Sequence, residues 1–348
     1  MSNRARIKSP NGLMGGTLSP THSPTRSVGR GRHVLATVAA AVALIMADSE
    51  TTAGAAATGA AGTAAVFSFD LPPLVRSGKA EHHPGKIIWA DLVTSDFAGA
   101  KSFYGTLFGW TFTDIHSGET NYSVALHDGE PMGGIIERPV KEGQQRHPTW
   151  LTFISVRDLD KTQRVVVAHG GKVLSPAHTY AKRGRQAVFA DPQGAVFAAL
   201  QSSTGDPEDA MPDPGEWIWS SLASHEPGSE AAFYQAVFGY EAFDLPDEDG
   251  LEHVLLASQN YARASSNELP AEASNLHAHW INFIRVNNTA DAVAKAESLG
   301  GHVLVPPHVD RHGGQIAVVA DPAGAPFGLL EWTSNDTKTV ADREQVAK

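Results

Sequence analysis

From Ile87 onward the chain switches repeatedly between two hydrophobic rhythms. Ile87–Thr94 is a run of β-formers and predicts a strand. Asp96 can then cap a helix over residues 98–108, whose apolar face recurs at Phe103, Leu107 and Phe108, and Gly109 ends it. Strand-like runs follow at 122–126 and 133–137, separated by the turn His127-Asp128-Gly129. A second cycle opens with a Trp-led strand over 150–156 and a helix over 159–169 closed by Gly170-Gly171. Strands at 172–174, 185–190 and 195–201 complete it, the last two joined by the turn Asp191-Pro192-Gln193-Gly194. The order reads as β-α-β-β-β, twice.

The whole pattern then recurs. Residues 89–200 laid over 219–330 at a constant offset of 130 give 31 identities in 112 positions. They include Trp89 with Trp219, Phe103-Tyr104 with Phe233-Tyr234, Trp150 with Trp280, His178 with His308, and Ala190-Asp191-Pro192 with Ala320-Asp321-Pro322. The predicted fold class is therefore α+β, a tandem pair of domains each built from two βαβββ modules. The predicted boundaries are 86–203 and 216–335, with a linker at 204–215 and a tail at 336–348.

Composition narrows the chemistry. Cysteine is absent, which excludes thiolate nucleophiles, disulfides and Cys-ligated metal. Residues 1–47 carry six basic side chains and no acidic one, leaving 21 basic against 38 acidic residues beyond them. So acidic a body repels nucleic acid and anionic lipid surfaces, and neither is expected as a partner. No apolar run reaches the length of a membrane span. The 14-residue apolar segment at 34–47, after a basic stretch and before the small residues at 51–65, predicts a signal peptide or N-terminal anchor over 1–47 and a low-complexity linker over 48–85. The expectation is an exported protein; a membrane-anchored or cytoplasmic one is the alternative.

The series W-x-x-L, FY, LFGW, a Trp-led strand, a helix closed by GG, and ADPxGAxF before a final strand resembles the vicinal oxygen chelate superfamily of glyoxalases, bleomycin-resistance proteins and extradiol dioxygenases. The resemblance spans about residues 85–335 and implies sheets curled into cups that hold a small ligand or a metal. Metal-holding members place ligands at positions that fall here on Trp89, a residue near 135–137, Leu151 and Ala198, and in the second copy on Trp219, Ile281 and Gly328. None of the well-placed residues, Trp89, Leu151 and Ala198 or Trp219, Ile281 and Gly328, supplies a side-chain metal ligand, so no cofactor is expected, although a divalent metal on other ligands stays open. His277 with His279, and His308 with His312, are the pairs that such a site would use.

Candidate ligand-binding residues are Trp89, Asp91, Glu137, Trp150, Tyr180 and Arg185, with Trp219, Trp280, Asp310 and Gln315 in the second copy. Aromatic walls with a few polar groups suit a flat ligand. Core filling is the competing role for the tryptophans, and packing or turn formation for Tyr104, Tyr234, Asp191 and Asp321. The expected function is metal-independent binding of an aromatic or cationic small molecule; the alternative is a metal-dependent lyase or oxidoreductase of the glyoxalase or dioxygenase kind. Two fused copies can pair with each other, so a monomer is expected.

Overall fold

The computed structural model describes residues 70–75, 81–117, 120–139, 147–245, 250–273, 276–309 and 314–332. The expected leader at 1–47 and the tail at 336–348 lie outside the described residues.

The first repeat contains β1 (Ile87–Thr94), α1 (Phe97–Phe108), β2 (Thr111–Ser117), β3 (Thr120–His127) and β4 (Glu130–Glu137). Its second module contains β5 (Thr149–Ser155), α2 (Leu159–Ala168), β6 (Lys172–Tyr180), β7 (Gly184–Ala190) and β8 (Val196–Ser202). The second repeat follows the same order. Its first module runs β9 (Trp217–Ser224), α3 (Pro227–Phe238), β10 (Glu241–Asp244), β11 (His253–Ser258) and β12 (Tyr261–Glu268), and its second β13 (His279–Val286), α4 (Thr289–Ser298), β14 (His302–Val309), β15 (Gln315–Ala320) and β16 (Pro326–Glu331). Each repeat forms one eight-stranded sheet, ordered β2-β3-β4-β1-β5-β8-β7-β6 and β10-β11-β12-β9-β13-β16-β15-β14.

Local chemistry accounts for the helix limits. Asp96, Asp158 and Asn288 each accept from the backbone N–H three residues on, capping α1, α2 and α4. The α3 N-terminus carries Pro227 in its first turn instead. Gly109 and Gly239 end α1 and α3 at φ of +78° and +75°, a backbone conformation open to glycine.

Two departures from the expected elements are edge effects. β2 was not predicted because it is an edge strand whose residues are largely exposed, so it shows no alternating apolar signal. β6 runs on to Tyr180 through Pro176, because an edge strand can carry proline where the ladder is already broken by shifts after Val173 and Ser175. A third departure is in the offset. Asp91 pairs with Gly134 and Val124 with the same glycine, whereas Ser221 pairs with Ser265 and Leu255 with Ser265. The β3–β4 hairpin therefore corresponds to β11–β12 at an offset of 131, and the 130 offset resumes by β13.

The helix-bearing faces of the two sheets meet. α1, β1 and Trp150 share one buried cluster with α4, β15 and β16, while α2, β7 and β8 share another with α3, β11 and Trp280. Between these clusters β5 and β13 touch directly, and Asn282 Oδ1 accepts from Thr152 Oγ1 at 3.0 Å and Ser220 Oγ at 2.6 Å. The opposite faces form two cups lined by separate clusters.

Candidate functional site

Alternation along each strand decides what enters a cup. On β1, Ala90 and Leu92 turn toward the helices and Trp89 toward the cup. In the first cup Asp91 Oδ1 accepts from Trp89 Nε1 and from Tyr122 Oη, each at 2.7 Å. Burial raises the Asp91 carboxyl above its ordinary pKa, against the opposing pull of the Tyr122 bond and the Arg183 charge. Burial first, and then the Asp91 charge, hold the Tyr122 phenol well above its usual range, so it stays a donor. The guanidinium of Arg183, 1% exposed, lies 4.0 Å from the centre of the Trp89 ring. Tyr180 stands half-buried in the same cluster, with the His178 ring 4.6 Å away.

The second cup is polar along one wall. Trp219 Nε1 donates to Ser265 Oγ at 3.2 Å, and Ser221 and Ser265 share a hydrogen bond of the same length. Asn267 Nδ2 donates to both hydroxyls, so its Oδ1 is the acceptor for His253 Nδ1 at 2.9 Å. Ile281, Phe283, Val318 and Leu330 complete the wall, and Leu269, Ala273 and Leu276 pack over it. Cross-strand pairing puts Asn267, Ala223 and His279 in one row. His279 Nε2 is buried without a partner, and burial lowers the ring's pKa, favouring its neutral form.

Several expected site residues stand elsewhere. Trp150 and Trp280 are buried on the helix-bearing faces, donating to Tyr104 Oη and Tyr234 Oη at 3.0 Å each. Glu137 shares the side of β4 that holds Ile135 and accepts from Asn121 Nδ2. Arg185 forms a two-armed exposed pair with Asp160 at 2.9 Å per bond. Gln315 lies on the Ala317 side of β15. For Trp150 and Trp280 the cause is that both faces of their strands are buried, so hydrophobicity does not report parity. Trp89, Asp91, Tyr180 and Trp219 are in the cups as expected; Asp310 and His312 lie outside the described residues. Arg183, Tyr122, Ser265, Asn267 and His253 were missed. Stepping two residues at a time along β3 from Val124 reaches Tyr122, but nothing local marks the others.

The family metal positions do not fit a metal. Trp89, Leu151 and Ala198 share the first cup's cluster, and none carries a ligating atom aimed at a common point. In the second cup an added side chain at Gly328 would run into the Phe283 ring. Among the described residues no three His, Asp or Glu side chains converge. His308 Nδ1 meets the Pro306 carbonyl and His279 Nδ1 that of His277, both local backbone contacts.

A family model described as the glyoxalase/bleomycin resistance protein/dioxygenase superfamily matches residues 86–198, and one described as a glyoxalase-like domain matches 220–330. The chain is 31% identical over 255 residues to "Putative glyoxylase CFP32" of Mycobacterium tuberculosis, covering 73% of this chain and 97% of that protein. It is 30% identical over 261 residues to the anthracycline biosynthesis protein DauV of a Streptomyces species, covering 71% and 94%. Among solved structures, the Mn(II)-bound glyoxalase from Novosphingobium aromaticivorans matches with a TM-score of 0.50 at 15% identity, over 72% of this chain and 82% of that one. The 2,3-dioxygenase LapB from Pseudomonas sp. KL28 matches at 0.51 and 14%, over 73% and 94%.

Proposed function

The chain belongs to the glyoxalase/bleomycin resistance protein/dioxygenase superfamily, and from that premise we propose that it is a small-molecule-binding protein whose second-domain cup takes a flat, oxygen-bearing aromatic ligand. The observation that carries this reading is the wall formed by Trp219, Ser221, Ser265, Asn267 and His253. An indole face supplies area for an aromatic ring, while the Ser221–Ser265 pair, held by the Asn267 amide and sharing one of its two hydroxyl protons, keeps the other as a donor to a ring oxygen. The names of the Streptomyces relatives, which concern anthracycline biosynthesis, favour the same ligand class.

A cationic ligand loses support in the first cup. The Trp89 face that would attract it already carries the chain's own Arg183.

The test is calorimetric titration with a soluble dihydroxyanthraquinone sulfonate, in the full chain and in W219A and N267L variants. The reading expects binding that both variants weaken by about tenfold or more. Equal binding in all three overturns it.

A metal-dependent lyase or oxidoreductase is the second reading, favoured by the unpartnered Nε2 of His279 and by the glyoxylase name of the mycobacterial relative. Elemental analysis after incubation with Mn, Fe, Ni or Zn separates the two. About one retained ion per chain, lost in a His279→Ala variant, supports the second. Pairing of the repeats within the chain also makes a monomer the proposed state, checked by sedimentation.

A further inference from the structure

The first cup is crossed by residues 70–75, which belong to no helix or strand. Leu71 and Leu74, 3% and 5% exposed, sit in the cup's apolar cluster among Trp89, Tyr122, Val124 and Phe153. Between them the Pro72 carbonyl accepts from Arg183 Nε at 2.7 Å. At the rim Lys182 reaches Asp70 at 2.6 Å, an exposed pair of small energetic weight.

This arrangement leaves Arg183 poorly served. Its Nη2 is buried and has no hydrogen-bond partner, and no described carboxylate comes within ion-pair distance of the guanidinium. Asp91, whose carboxyl feels the Arg183 charge, is engaged through Oδ1 by Trp89 and Tyr122. A peptide carbonyl is a single neutral acceptor, whereas a carboxylate matches the guanidinium fork with two parallel charge-assisted bonds. Space for an apolar tail is present as well. A cavity of about 230 Å³ lies between the segment and the sheet, lined by Pro72, Pro73, Thr113, Ile115, Val124 and Leu126.

We propose that the first cup is a binding site for an apolar monocarboxylate, which Arg183 holds bidentately over Trp89, and that the 70–75 segment is a tethered occupant this ligand displaces. The proposal is independent of the second-domain reading, because the two cups open on opposite sides of the molecule and share no residue. Sequence supports a role for one copy only: the position matching Arg183 is Gly313.

The experiment uses the full chain and octanoate as the probe, with octan-1-ol as the chargeless control, followed by calorimetry. Loosening the occupant with L71S/L74S is expected to tighten octanoate binding about tenfold, since less of the ligand's affinity is spent on displacement. Within that background R183Q is expected to abolish the binding, and R183K, which keeps the charge but not the fork, to weaken it about tenfold. D91N is expected to strengthen it by removing a competing negative charge. Octanol bound as tightly as octanoate, octanoate bound equally well by R183K, or no gain on loosening the segment would each overturn the proposal. Circular dichroism on every variant confirms the fold, and R183K keeps the test decisive if R183Q does not fold.

Discussion

Tyr104 of the first domain donates its phenolic hydrogen to Asp321 of the second at 3.2 Å, and Tyr234 returns the bond to Asp191 at 3.0 Å. Each phenol also accepts from a tryptophan, Trp150 or Trp280, and each aspartate caps its own turn through the N–H groups at 193 and 195 or 323 and 325. The repeat identities at Phe-Tyr, Trp and Ala-Asp-Pro are thus two copies of one interdomain lock. The approximate two-fold relation between the domains explains why the same residue types are retained in both copies.

Removing one phenol tests the lock. Tyr104→Phe leaves a buried indole N–H and a carboxylate oxygen without their partner, at a cost of about 1–3 kcal/mol. Tyr234→Phe should cost a similar amount. Both are read as a lower melting temperature with unchanged far-ultraviolet circular dichroism; a melting temperature equal to the parent's would mean that the lock is dispensable.

The two ends of the interface differ in an ionisable group at one buried position. Where the first copy has Ala100, the second has Glu230, 2% exposed and beside Asp191. Burial first, and then the Asp191 charge, push the Glu230 carboxyl from 4.5 up to about 9, so it holds a proton at neutral pH. A folded-state pKa above the unfolded one means that its stabilising contribution is present below pH 4.5 and is lost as pH rises toward 9. Glu230→Gln keeps the shape without the titration. It should therefore melt higher than the parent at pH 8 and show a flatter alkaline decline in thermal scans from pH 5 to 9.

Gly134 sets the first cup's polar centre. A methyl group there would run into both Tyr122 Oη and Asp91 Oδ1, which are bonded to each other. Gly134→Ala is expected to destabilise by about 1–3 kcal/mol through this overpacking. Denaturant titration measures the loss, and a Gly133→Ala control is uninformative because its added carbon would press on the Ala90 carbonyl.

The fold was legible in the sequence because helix stops, capping residues and the DPxG turns are local signals, each repeated in register. Trp89 and Asp91 were legible as cup residues because the resemblance anchors β1. Trp150 and Trp280 stand on the other face because a strand buried on both sides conceals its parity, and Glu137, Arg185 and Gln315 stand there as well. Arg183 sits in the turn before β7, and the path of the 70–75 segment brings the Pro72 carbonyl to its guanidinium. Such a contact spans 111 residues of sequence. No local pattern encodes it.

The linker between the domains carries an electrostatic dependence of the opposite sign. Asp209, in the stretch predicted as 204–215, accepts from Arg263 Nη1 at 2.6 Å and pairs with Lys86 Nζ at 2.9 Å, joining the start of the first sheet to the β11–β12 hairpin. Burial works to raise the Asp209 carboxyl, yet the Arg263 bond and the Lys86 charge outweigh it and leave the pKa below the ordinary value. A depressed folded-state pKa gives stability that is present above the unfolded value near 4 and lost as pH falls below it. Asp209→Asn removes the one carboxylate paired with both cations, and breaking a buried pair in this way costs about 3–5 kcal/mol. The variant should unfold at lower denaturant concentration at pH 7, and its deficit should shrink as pH falls below about 4, where the parent progressively loses the stability its ionised Asp209 contributes. A deficit that is constant across this range would assign the loss to packing instead of charge.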